Sequence, residues 1–235
     1  MKRLDYKFST ILWDVDGTLL DFKYSQRIAL ARSFEAVGRS IDENVQKRYD
    51  EINESYWKRL EKGEVTRAEL LPGRFVQLFR EFHMEGIDVE SFRKDYQQHL
   101  GSIFCLKDSC LDLLARLSPH VRQYIVTNGV TSTQQSKLEL SGIAGLVDGI
   151  FISEQLGADK PSIDFFEKCL DSISEKDKSR ILIVGDSLSS DIQGGINAGI
   201  VTCWYRPYGK ENTTGMQPDY EISHLSQIFD VINSV

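Results

Sequence analysis

Short apolar runs alternate with helix-forming stretches along most of this chain, and that alternation limits the possible folds more than any other feature. The runs are residues 8–15 (FSTILWDV), Val121–Val126, Gly149–Ile152, Ile181–Val184 and Ile200–Trp204. Each has strand length and little polar interruption, as expected of strands covered on both faces. Ser109–Leu117, Ser132–Leu140, Ile163–Asp171 and Ser189–Ala198 lie between or after them with helical character. Repeated strand–helix–strand units predict an α/β fold: a Rossmann-like parallel sheet with helices on both faces.

The segment from about Phe22 to His99 has a different texture. It holds no convincing strand, and its apolar residues fall at helical spacing: Tyr49, Ile52, Tyr56 and Leu60 on one face, Leu71, Phe75, Leu78 and Phe82 on another. Gly63 and the Leu71-Pro72-Gly73 step read as breaks or helix starts. The segment is therefore expected to be a helical insert of about 75–80 residues after the first strand. The expected division is a core of residues 1–21 and 101–235 and an insert of residues 22–100.

Charge and cysteine usage narrow the functional classes. With 235 residues, a net charge of −7 and no basic run, a nucleic-acid polymer is a poor partner. A small anionic ligand remains compatible, because a pocket can oppose the net charge locally. Cys105, Cys110, Cys169 and Cys203 show no CxxC spacing, and the histidines are scattered. A structural zinc or a disulfide framework is not expected, and a reducing cytoplasm is the natural compartment. The apolar run Phe8–Trp13 is too short to span a membrane and lacks a cleavage site, so no membrane partner is expected. Oligomeric state is left open.

The chemistry-bearing residues follow the strands. Asp14-Val15-Asp16-Gly17-Thr18 closes the first run, with Gly17 allowing a sharp departure of the backbone. Two carboxylates at such a strand end can divide the labour of nucleophile and acid–base. A calcium loop is the alternative reading, but it needs further oxygen ligands and flanking helices that this segment lacks. Thr127-Asn128-Gly129 follows the second run and offers a hydroxyl and amides for a phosphate, although a turn with a helix cap explains it equally well. Lys160 could offset the charge of Asp14 and a bound phosphate, or simply be solvated, while Pro161 suits the first turn of the next helix. Asp186 and Asp191 flank the segment after the fourth run and can approach one point, though acids near a helix start also form caps. Four polar clusters that each follow a strand carry more weight together, because parallel sheets gather ligands beyond the carboxyl ends of their strands.

In order and spacing, Asp14–Thr18, Thr127-Asn128, Lys160-Pro161 and Gly185–Asp191 resemble the four motifs of the haloacid dehalogenase superfamily. The resemblance covers essentially the whole chain, and the insert looks like that family's C1-type helical cap. Dehalogenases of the superfamily lack an acid at the position of Asp16, whereas its phosphatases and phosphomutases have one, so the resemblance implies phosphoryl transfer. It further implies Mg²⁺ held by the carboxylates of Asp14 and Asp186 and the backbone carbonyl of Asp16, with Asp191 orienting the metal site. Asp14 would be the nucleophile and Asp16 the acid–base, with phosphate bound by Thr127, the Asn128 amide and Lys160.

A finer resemblance connects Trp57 with Glu61–Glu64, Arg74-Phe75, Ile152–Gln155 and Thr202–Tyr205 to the branch containing bacterial pyrimidine 5′-nucleotidases. It implies a nucleoside monophosphate as substrate. Trp57, Phe75, Arg67 and Arg74 are candidate substrate contacts in the cap, against the alternative that large side chains there form the cap's own core. The rival readings are a sugar-phosphate or phosphoglycolate phosphatase, a phosphomutase, and a non-catalytic phosphate-binding module.

Overall fold

The computed structural model describes residues 6–209, 211, 212 and 214–233. The chain divides into two compact units, Met1–Phe22 with Cys105–Val235, and Lys23–Phe104.

The first unit is built on a six-stranded, wholly parallel sheet in the order β3-β2-β1-β4-β5-β6. Its strands are β1 (Thr10–Trp13), β2 (Arg122–Thr127), β3 (Gly149–Ile152), β4 (Ile181–Gly185), β5 (Val201–Tyr205) and β6 (Tyr220–Ile222), and its helices include α5 (Cys110–Leu117). β1 pairs with β2 on one side and β4 on the other, so the strand order reverses there. Such a reversal leaves a crevice beyond the strands' carboxyl ends, where α/β sheets bind ligands. All four residues of β1 are buried, as a central strand covered on both faces requires. Leu12, Val126, Ile181 and Ile183 pack there with Phe165, Phe166, Cys169 and Leu170 of the helix Ile163–Ser172.

In the second unit, the main helices are α2 (Glu43–Glu61), α3 (Arg67–Glu81) and α4 (Val89–Ser102), with α1 (Phe22–Ala36) belonging to it from its second residue, Lys23, onward. Phe34, Tyr49, Phe75, Phe79, Phe92 and Tyr96 form an aromatic core, with Tyr49 stacked on Phe75 at 5.3 Å and Phe34 edge-on to Phe92 at 4.8 Å. No described helix is long and apolar enough to cross a membrane.

Several local expectations need correction. Leu71-Pro72-Gly73 does not break a helix, because α3 runs straight through it. A capping box between Thr66 and Glu69 starts α3 one turn earlier, and burial of Leu70, Phe75, Leu78 and Phe79 offsets the hydrogen bond that Pro72 cannot donate. Gly73 fits because Tyr56 lies against it, with a ring carbon 2.8 Å from where a Cβ would sit. Ser189–Ala198 is not one regular helix: a π-helical turn, Leu188–Ile192, precedes an α-helix over Gln193–Ala198. The three-residue edge strand β6 and the short helices Ser153–Leu156 and Ile228–Asn233 carry too few periodic residues to be read from sequence.

The four cysteines are free thiols. Burial pushes the Cys110 thiol up to about 11 and the Cys169 thiol up to about 12, and raises that of Cys203 as well, whereas Cys105 is exposed. Native protein treated with iodoacetamide at pH 7.5 should therefore be alkylated at Cys105 alone, by intact mass and peptide mapping, and in urea at all four. Equal labelling of Cys105 and Cys169 in the native state would contradict this packing.

Candidate active site

The chain leaves the sheet immediately after β1. The Asp14 amide still donates to the Val184 carbonyl at 2.9 Å, which fixes the residue to β4. The Val15 carbonyl then accepts from the amides of Thr18, Leu19 and Leu20, folding the loop back on itself. Gly17 sits at φ +102°, in the left-handed region, and a Cβ there would lie 2.5 Å from Asp186 Oδ1. Glycine is needed both for the backbone and for the approach of Asp186.

A buried ammonium holds this site together. Lys160 is 1% exposed, and its Nζ donates to Asp14 Oδ1 at 2.8 Å, Asp191 Oδ1 at 2.6 Å and the Val126 carbonyl at 2.9 Å. These three bonds use all three donors of the ammonium. Asn128 clasps the lysine's backbone from both sides: its Nδ2 donates to the Lys160 carbonyl and its Oδ1 accepts from the Lys160 amide, each at 2.8 Å. Pro161, joined by a cis peptide, precedes the N-cap Ser162 instead of occupying the first helical turn as expected. Thr18 Oγ1 donates to Asp14 Oδ2 at 2.9 Å and accepts from the Asp186 amide at 3.1 Å, tying the β1 loop to the β4 loop. Asp191 Oδ2 accepts from the Ser187 amide at 3.0 Å.

Asp14, Asp186 and Asp191 each offer a ligand oxygen within 4.8 Å of the others. One ammonium against three carboxylates leaves a surplus of negative charge. Burial, and next the charge of Asp191, push the Asp14 carboxyl up to about 7 despite Lys160. Burial raises Asp191 too, with Lys160 acting against it and Asp186 adding to it. Burial also works against the Lys160 charge, but Asp14 and Asp191 outweigh it and hold that group above the usual lysine range. Hard oxygen donors with unbalanced negative charge fit a small divalent cation.

The Asp16 side chain takes another direction, toward the helix α6 (Thr131–Leu140). Its Oδ1 accepts from Lys137 Nζ at 2.7 Å and its Oδ2 from Gln134 Nε2 at 2.8 Å. The same Gln134 Nε2 donates to Thr127 Oγ1 at 2.6 Å.

Within the first unit, Asn128, Lys160, Asp14, Asp186 and Asp191 thus form one group and Asp16 and Thr127 a second, joined to it along the chain at Asp14–Asp16 and Thr127–Asn128. Sequence reasoning did not single out Thr18, Gln134 or Lys137. Thr18 stood inside the Asp14–Thr18 motif, but only the fold reveals its bond to the distant Asp186 loop. Gln134 and Lys137 gave one faint signal, a spacing of one helical turn just after Thr127-Asn128.

Trp57 and Arg74 belong to the second unit. Arg74 is 1% exposed, with Nη1 donating to Asn53 Oδ1 at 2.6 Å and its guanidinium over the rings of Phe75 and Tyr96. Phe75 is fully enclosed in the aromatic core. Trp57 is half-buried, with the Arg67 guanidinium 5.7 Å from its ring centre.

Residues 8–199 match the family model of the haloacid dehalogenase-like hydrolases. The chain belongs to that family. It is 37% identical to the pyrimidine 5′-nucleotidase PynA of Streptococcus pneumoniae, over 97% of this chain and 95% of that protein. It is 30% identical to the pyrimidine 5′-nucleotidase YjjG of Escherichia coli, over 94% and 96% respectively. The magnesium-bound crystal structure of YfnB from Bacillus subtilis superposes with a TM-score of 0.91 at 35% identity, covering 97% of this chain and 100% of that one. The protein is accordingly a phosphatase of this family.

Two outcomes follow from the site's electrostatics and shape. The folded Asp14 carboxyl lies above its ordinary value of 3.8, so the stability tied to its proton is present at low pH and lost as pH rises from about 4 through about 7. A cation that needs the ionised carboxylate competes with that proton. Magnesium should therefore raise the melting temperature more at pH 8 than at pH 5.5, by differential scanning fluorimetry, and the opposite order would contradict the cluster's role in binding it. Gly17→Ala should abolish most of this magnesium stabilisation, because the added methyl displaces Asp186.

Proposed function

We propose that this phosphatase is a nucleoside 5′-monophosphatase favouring pyrimidine nucleotides, acting through an aspartyl-phosphate on Asp14 with Mg²⁺ as cofactor. The chemical half of this reading rests on one observation: a buried lysine couples Asp14 to Asp191 beside Asp186, at the crevice where the strand order reverses. The substrate half rests on likeness, over nearly the full chain, to two pyrimidine 5′-nucleotidases.

Asp14 and Asp186 are the proposed carboxylate ligands of the metal, with the Asp16 backbone carbonyl. Asp191, whose two oxygens are already engaged by Lys160 and the Ser187 amide, orients the site. Bound Mg²⁺ would supply charge neutralisation between these carboxylates and the phosphoryl group.

The remaining chemistry belongs to the chain. An Asp14 carboxylate oxygen attacks phosphorus in line as the bond to the substrate oxygen breaks. Lys160 neutralises charge beside the attacking carboxylate, and Asn128 fixes the lysine's backbone. The Thr127 hydroxyl accepts from Gln134, which leaves its own proton to point toward a phosphoryl oxygen. Asp16 gives a proton to the departing alkoxide. It then takes one from the water that attacks the aspartyl-phosphate, restoring Asp14 and releasing inorganic phosphate. The helical unit is proposed to act as a cap that excludes bulk water during these steps.

Phosphate release should require added Mg²⁺ and stop with EDTA. A screen of nucleoside monophosphates, sugar phosphates and phosphoglycolate should place UMP or dTMP first by kcat/KM. A sugar phosphate outrunning every nucleotide by about tenfold would overturn the substrate assignment and leave the phosphatase intact. Asp14→Asn should lower kcat by roughly a thousandfold or more with the fold retained by circular dichroism, and near-normal turnover would remove Asp14 as nucleophile.

A further inference from the structure

Lys137 is fully buried on α6, and Gln134, one turn before it, is 2% exposed. Burying a lysine is costly unless its charge is well paired. Here the pairing is with Asp16 Oδ1 at 2.7 Å, and the ammonium also lies 5.7 Å from the centre of the Phe22 ring. Replacing both partners of such a pair by apolar side chains is often neutral for stability, whereas removing the lysine alone would strand the Asp16 carboxylate. Stability therefore ties the lysine to Asp16 but gives little reason for the pair itself.

Gln134 is equally unusual. Its Nε2 serves two acceptors, Asp16 Oδ2 at 2.8 Å and Thr127 Oγ1 at 2.6 Å, while its Oε1 is buried with no hydrogen-bond partner among the described residues. Turning the amide over would aim Oε1 at a carboxylate, so Asp16 fixes its orientation. The side chain accepts an orphaned carbonyl in order to link these two groups. A side chain at Gly129 would collide with Gln134, so the backbone after Thr127 leaves room for this link.

We propose that Lys137 and Gln134 are positioning residues for proton transfer. Lys137 anchors Oδ1 of Asp16, and Gln134 sets Oδ2 at a fixed separation from the Thr127 hydroxyl. The inference rests on the acid–base role of Asp16 proposed above. Thr127 meets a phosphoryl oxygen while Asp16 meets the departing one, so a single NH₂ group spaces the two contacts across the reacting phosphorus. Without this bracing the Asp16 carboxyl, two residues beyond the buried Asp14, can swing about its side-chain bonds, and a misplaced acid–base loses much of its effect.

The consequence is selective for substrates that need the proton. An alkyl phosphate leaves as a strongly basic alkoxide and needs protonation. p-Nitrophenyl phosphate leaves as a stable phenolate and does not. kcat/KM reports the steps through the first departure, so the two substrates compared in one enzyme sample isolate the acid function. The ratio is also insensitive to a fraction of unfolded protein, which lowers both rates alike.

The experiment measures kcat/KM on UMP and on p-nitrophenyl phosphate for wild type, Asp16→Asn, Lys137→Met, Lys137→Arg and Gln134→Leu. For Lys137→Met and Gln134→Leu, kcat/KM on UMP should fall by about thirtyfold, and on p-nitrophenyl phosphate by less than about threefold. Lys137→Arg, which keeps a donor for Oδ1, should recover most of the UMP loss. Equal losses on both substrates, or no loss, in Lys137→Met and Gln134→Leu would overturn the inference and reduce the pair to a structural tie. Asp16→Asn is the benchmark: if it shows no split between the substrates, the acid–base role of Asp16 falls and this inference falls with it. A split in Asp16→Asn alone would remove only Lys137 and Gln134.

Discussion

The carboxylates beyond the ends of β1 and β4 are held together by the ammonium of Lys160. It draws on Asp14 after β1, on Val126 within β2 and on Asp191 after β4, so three otherwise separate stretches of chain converge on one nitrogen. Taken out of water, two carboxylates near each other repel strongly, and an enclosed cation between them makes the cluster tolerable. The compensation is incomplete. Asp14 keeps a raised affinity for protons because burial and Asp191 together outweigh the lysine. That residual imbalance is the electrostatic ground for the divalent cation proposed at this cluster.

The sheet supplies the precision. Strand order reverses at β1, so its loop emerges between those of β2 and β4. Thr18 then ties the first loop to the backbone of Asp186, while the Asn128 side chain fixes Lys160 from the neighbouring strand's end. Side chains carried on rigid strand ends and cross-braced in this way are held in place before any ligand arrives, the pre-organisation that the proposed electrostatic catalysis needs.

Much of this was legible in the amino-acid order because strand ends announce themselves. The runs of apolar residues located β1 to β5, and the polar residues at or just past their ends, Asp14, Thr127 and Asp186, were candidates by position. Edge strand β6 escaped because three residues with one exposed acid carry no period. Pro72 misled because local propensity disfavours it inside a helix, whereas the aromatic core of the helical unit outweighs one missing hydrogen bond. Lys137 and Gln134 were hidden for a deeper reason. Polar residues on a helix read as its solvent face, and only the fold turns this face of α6 toward the Asp16 carboxylate.

The register of β1 bears on how the molecule is made. Thr10 is aligned with Arg122 on one side and Ile181 on the other, both far along the chain. During synthesis the central strand leaves the ribosome first and must wait for both neighbours, with its apolar faces uncovered meanwhile. Closing so long a loop costs only slightly more than closing a shorter one, so the intervening helices impose a delay more than an energetic burden. A nascent chain stalled before β4 would have neither a finished sheet nor the Asp191 partner of Lys160, and truncated translation products should therefore be targets for chaperones instead of weak enzymes.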